Sequence, residues 1–149
     1  MKKAGLFLMG IMAIAMFVTF QNCGGDDDES AQDKTIRLLT EKTEWVADQV
    51  TVPSSSATTG SEWNNVFKVS FTKSNMTCSG HPTGAQAVWP SGPYTVSEDG
   101  ETITRSDNVA MSVLELTETV FRVTFAVPEG TELGGRIAAL DGEYTFNMQ

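Results

Sequence analysis

The side chains able to do chemistry are few and scattered. His81 is the sole histidine of 149 residues, and Cys78-Ser79-Gly80-His81 has the spacing of a metal half-site. Thiolate and imidazole both suit zinc, but a structural zinc needs two more ligands of that quality. The other cysteine is Cys23, and no second histidine exists. The same pair could be drawn as a nucleophile with its base. Adjacent placement on one short turn rarely gives that geometry, and no third group stands beyond them to orient the base. A serine hydrolase would show a G-x-S-x-G elbow, which is missing. Glu98, Glu101, Glu115 and Glu118 could pair for glycoside hydrolysis, yet all sit near expected hairpin ends, where solvated carboxylates are ordinary. The run Asp26-Asp27-Asp28-Glu29 lacks the alternating ligands and the glycine of a calcium loop. These residues point to no enzyme, no metal and no cofactor.

Aromatic rings are the richer resource. Trp63 ends a polar loop, and Trp89 precedes Pro90 in a Gly/Pro-rich stretch. Rings at loop ends stack on sugar faces or line apolar pockets. Trp63, Trp89, Phe67, Phe121 and Tyr144 are therefore the candidate ligand-binding residues. The same tryptophans could instead plug the ends of a small barrel, and Trp45 reads as core.

Cys23 carries a different chemistry. Met1-Lys2-Lys3 precedes an uncharged apolar run from Ala4 to Phe20, and Cys23 stands just beyond it, followed by Gly24-Gly25 and the acidic run. The apolar run is short for a membrane span, which needs about 20 residues, and its flanks fit a cleavable export signal. The arrangement resembles a bacterial lipoprotein signal, in which the cysteine is acylated and becomes the first mature residue. Residues 1–22 are then the signal peptide, 23–33 a lipidated acidic tether, and 34–149 a single domain. Lipidation of Cys23 leaves Cys78 without a partner, so Cys78 is expected as a free, buried thiol.

The net charge is −9, and loss of Lys2 and Lys3 with the leader makes it −11. So acidic a chain is unsuited to nucleic acid, which requires a basic surface. Membrane contact would come from acyl chains, each buried methylene contributing about 0.8 kcal/mol.

The elements that must position these residues are short. Asp33 can cap a helix over 33–40, with Ile36 and Leu39 on one side, and it is the only helix expected. From Glu44 onward the period becomes two. Phe67, Val69 and Phe71 form one alternating row, Phe121, Val123, Phe125 and Val127 a second, and Tyr144, Phe146 and Met148 a third. Weaker strands are expected at 45–52, 76–80, 93–97, 101–105 and 109–116. Glu98-Asp99-Gly100-Glu101 and Thr117-Glu118 are hairpin signals, Asp141-Gly142 opens the last strand, and residues 53–60 read as a loop. The fold class is all-β: an antiparallel barrel or sandwich of about eight short strands with one short N-terminal helix. Closure would remove exposed edges.

Leu38-Leu39-Thr40 before Trp45 resembles the opening of small lipocalin-like lipoproteins of the Bacteroidetes type. Val88-Trp89-Pro90-Ser91-Gly92-Pro93-Tyr94, followed by Ile103-Thr104-Arg105-Ser106-Asp107, resembles their central segment. Gly135-Arg136 and Gly142-Glu143-Tyr144-Thr145-Phe146 resemble their last strand. The likeness covers most of residues 34–149 and implies a lipocalin-like barrel. It also makes Arg105 and Asp107 a pair to look for beneath the barrel, since a buried arginine needs a carboxylate. The acidic run resembles the signal that sends such lipoproteins to the outer face of the outer membrane, with a periplasm-facing anchor as the alternative.

The expectation that follows is a non-catalytic, lipid-anchored binding module for a small apolar molecule or glycan. The alternative is a solid-cored structural or accessory part of a cell-surface complex. The inward rows serve either one, because an eight-stranded barrel is just wide enough to be filled by side chains or to hold one small ligand. The partners expected are the membrane, through N-terminal acyl chains, and such a ligand, with the chain a monomer or part of a surface complex.

Overall fold

The computed structural model describes residues 29–133 and 136–149. The leader, Cys23 and most of the acidic tether lie outside the described residues, and so do the expectations placed on them. In chain order the elements are α1 (Ala31–Glu41), β1 (Trp45–Thr51), α2 (Gly60–Trp63), β2 (Lys68–Phe71), β3 (Asn75–Ser79) and β4 (Gly92–Val96). Then follow β5 (Thr102–Arg105), β6 (Ala110–Leu116), β7 (Phe121–Val127), β8 (Glu132–Leu133), β9 (Arg136–Ala139) and β10 (Gly142–Met148).

Eight strands close into an antiparallel barrel in the order β1-β10-β7-β6-β5-β4-β3-β2, and β8 and β9 form a separate small hairpin. The path is an up-and-down meander whose last step, from β7 to β10, is interrupted by that hairpin. Closure decides for the barrel over the sandwich. The strict alternation of β7 and β10 supplies its best-paired wall, with seven register pairs from Gly142↔Val127 to Met148↔Phe121. Apolar side chains of both strands point inward and the polar ones outward, as period-two patterning requires.

Three stretches of wall are thinner, and β1 meets β2 only at Trp45↔Val69 and Val46↔Lys68. β3 and β4 pair only at Asn75↔Pro93 and Met76↔Gly92. Beyond that point the Cys78 N–H donates to the Ser91 hydroxyl at 2.8 Å, so a side chain continues the wall where the ladder stops. β1 slips register against β10 between Ala47 and Gln49. There the Val50 N–H donates to the Asn64 side-chain carbonyl at 2.9 Å.

The two ends of the barrel differ. The tight connections 72–74, 97–101 and 117–120 lie at one end, which α1 covers. The longer connections 52–67, 80–91 and 128–141, with 106–109, gather at the other.

α1 begins earlier than its sequence suggested. The Ser30 hydroxyl, not Asp33, caps it, accepting the Asp33 N–H at 3.0 Å and donating to the Asp33 carboxylate at 2.7 Å. Ala31–Asp33, expected in the tether, are therefore helical. Thr35, Leu38 and Leu39 form its buried face, and the Thr35 hydroxyl donates to the Gly100 carbonyl at 3.1 Å. Gln32 donates to the Val96 carbonyl at 2.6 Å, and the Trp45 indole N–H donates to the Leu39 carbonyl at 3.2 Å. These bonds dock a helix too short to persist alone.

α2 was not expected at all. Its four residues give no periodicity to read, yet Thr59 and Glu62 make a capping box at its start, a local signal that the sequence does contain.

Candidate functional site

The loop end of the barrel gathers most of the residues with functional promise. Trp63 is carried there by α2, which packs on β1 because Gly60 lets the two backbones touch. A Cβ on Gly60 would sit 2.1 Å from the Val50 carbonyl oxygen. The Trp63 indole N–H donates to the Thr58 hydroxyl at 3.2 Å, and Ser56 bonds both Thr58 and the Tyr144 hydroxyl. The stretch 53–60 is thus a polar strap that satisfies two inward-pointing aromatic heads, which its lack of apolar residues concealed.

Trp89 arrives from the 80–91 connection, its N–H set 3.3 Å from the Met76 sulfur. Around these two indoles the rings interlock. Trp63 meets Phe67 and Phe146 at 5.4 Å between centroids, and Trp89 meets Phe146 at 5.0 Å and Phe125 at 5.2 Å. Most of these contacts are edge-to-face, the favoured arrangement for aromatic pairs.

Phe121 belongs to a second group at the helix end, with Trp45 at 5.6 Å and Phe71 at 5.9 Å. The five candidate ligand-binding residues therefore do not make one site. Trp63, Phe67, Trp89 and Tyr144 meet at the loop end, and Phe121 lies apart. All five are fully buried. The tryptophans act as plugs, with no face turned to solvent for stacking on a sugar.

His81 closes the loop-end cluster from outside. Its ring lies 5.1 Å from Phe67 and 6.0 Å from Trp63, and its Nε2 is 2.8 Å from the Trp89 carbonyl oxygen, which assigns the proton to Nε2. Cys78 points inward from β3 and is half-buried rather than fully buried, a free thiol among the described residues. Burial pushes its pKa up to about 12, opposed by the Ser91 hydrogen bond and by Arg105. A thiol so held is protonated at neutral pH and a poor nucleophile. Among the described residues no three His, Cys, Asp or Glu side chains gather as metal ligands.

Arg105 and Asp107 do form the pair that the resemblance suggested. The guanidinium is 1% exposed and meets both carboxylate oxygens, through Nε at 3.1 Å and a terminal nitrogen at 2.5 Å. Its other terminal nitrogen donates to the Val88 carbonyl at 2.7 Å, and the charge lies 5.1 Å from the Phe125 ring centre. The Arg105 hydrogen bonds hold the Asp107 carboxyl below the usual carboxylate range. By contrast, Glu115 binds Arg122 loosely at 3.6 Å on the outer wall, with both side chains exposed. Asp99 is engaged by Ser97 and by the Glu101 N–H within its turn.

Three depressions among the described residues lie on the outside. One of about 250 Å³ borders Tyr94, Arg105 and Asn108. Two others flank α1, of about 370 Å³ beside Ile36 and Lys73 and about 460 Å³ beside Lys34 and Leu116. Compared with known proteins, the chain matches no protein-family model and no curated protein.

Proposed function

We propose that this chain is a non-catalytic, solid-cored β-barrel scaffold, exported and held at the outer membrane by acyl chains on Cys23, that serves as an accessory part of a cell-surface protein complex. The observation that carries the scaffold reading is the burial of three tryptophans, whose rings pack against the phenylalanine rows. A carrier of this size would need that volume for its ligand. The non-catalytic reading draws support from His81, whose Nε2 is committed to a backbone carbonyl rather than to a nucleophile. Anchoring rests on the residues around Cys23.

Native mass spectrometry of residues 29–149, a form that keeps the α1 cap, is the direct test. The polypeptide mass alone is expected. A co-purified lipid or glycan would instead support the binding module. Palmitate labelling of the whole chain should disappear in Cys23→Ala, and labelling that survived would overturn the anchor.

A further inference from the structure

The start of α1 fixes where the chain leaves the barrel, and so which end a Cys23 anchor would hold to the lipid. Five residues lie between Cys23 and Glu29, a reach of at most about 22 Å even fully extended. Glu29 is itself tied down. Its carboxylate takes two bonds from the Arg37 guanidinium, at 2.8 and 3.1 Å, folding the incoming chain back over the outer face of α1. α1 is in turn pinned to the β4–β5 hairpin through Gln32 and Thr35.

Exposed carboxylates stand at both ends, Asp33, Glu41, Glu98, Asp99, Glu101 and Glu118 among those of the helix end, so net charge does not distinguish the ends. The exposed cations of the helix end include Lys34, Arg37 and Lys73, and among the described residues Lys34 and Lys73 make no ion pair. They line the two grooves beside α1. The loop end exposes Glu62, Glu129 and Glu143, while Arg105 is buried on Asp107. Lipid phosphates attract Lys34 and Lys73 and repel the neighbouring carboxylates over a Debye length of about 8 Å, so the short tether, not net charge, sets which end faces the lipid.

We propose that the helix end is the membrane-facing surface of the anchored protein, with α1 against the headgroups and Lys34 and Lys73 on lipid phosphates, so that the loop end is presented outward. This rests on the Cys23 anchor proposed above. It names a lipid surface as the occupant of the α1 face.

The test uses the full lipidated chain in phosphatidylglycerol-containing vesicles, in a Cys78→Ala background. A fluorophore is placed at Ser74→Cys on the helix end or at Ser54→Cys on the loop end, and headgroup-nitroxide lipids act as quencher. The ends of a seven-residue tilted strand stand about 18 Å apart, so quenching is expected to be at least about threefold stronger at position 74. Equal quenching, or stronger quenching at 54, overturns the orientation. Lys34→Glu with Lys73→Glu should reduce the difference by about half, and an unchanged difference overturns the headgroup contact. A chain that fails to join vesicles refutes the acylation instead. Coupling the Cys23 thiol to a maleimide lipid then gives the same end-against-end measurement.

Discussion

Among the described residues Arg105 is the one charged side chain that the barrel takes inside. Burial of a lone guanidinium would cost several kcal/mol, and the cost is offset because each of its three nitrogens finds an acceptor. Asp107 supplies two acceptors from two residues away, across the turn in which Asn108 adopts φ 65°. The Val88 carbonyl supplies a third. Arg105 therefore ties the β5–β6 connection to the segment that carries Trp89, joining the two by one side chain. The Asp107 carboxylate is 38% exposed, so solvent screens part of its attraction. Asp107→Asn is expected to lower stability at pH 7 by about 1–3 kcal/mol, read by urea denaturation. Its sign with pH follows from the depressed carboxyl. The contribution is complete above the unfolded-state value of about 4 and is lost as pH falls towards the folded one. Wild type should therefore lose more stability than Asp107→Asn between about pH 5 and pH 2.5, and parallel curves would deny the pair its role.

At the scale of elements, close backbone approaches hold the loop end together. Gly80, with φ +70°, follows β3, and a Cβ there would lie 1.9 Å from the Val66 carbonyl oxygen. Gly130 has a similar φ of +79° but nothing within 4 Å of the same position. Gly130→Ala should therefore cost only the left-handed backbone penalty, about 1 kcal/mol. Gly80→Ala must also push two chain segments apart, at about 3 kcal/mol or more. Thermal unfolding of the two variants separates them, and equal shifts would mean that the contact relaxes freely. How much was legible from sequence follows the same division between local pattern and contact. β7 spans the predicted Phe121–Val127 because its alternation is complete within the segment. α1 was found but misplaced by two residues, because Ser30 and Asp33 are both cap-forming types and only the fold shows which one caps. α2 and the β8–β9 hairpin are too short to carry a period, so no local pattern could announce them.

At the scale of the whole molecule, the question left open by the sequence was whether the inward rows enclose space. Phe67, Phe121, Phe125, Tyr144 and Phe146 could be assigned to the interior from period two alone. What could not be read was that α2 and the 80–91 connection bring two indoles into the same volume, since those approaches depend on Gly60 and on the Arg105–Val88 bond. A filled interior makes a strong prediction about apolar probes. On the scaffold reading wild type offers benzene no site, so the probe should leave its midpoint unchanged. Trp89→Ala removes an indole that meets Phe67, Phe125 and Phe146, and should cost about 3–5 kcal/mol. The vacated volume is walled by rings that cannot all collapse inward, and apolar cavities of this kind stay dry and take up benzene. Benzene should then raise the variant's midpoint in proportion to the logarithm of its concentration. Trp89→Leu, leaving a smaller void, should show a weaker rise and remains measurable if the alanine variant is too unstable. Stabilisation of wild type by the probe would mean that the barrel already holds space, and would return the ligand carrier to first place.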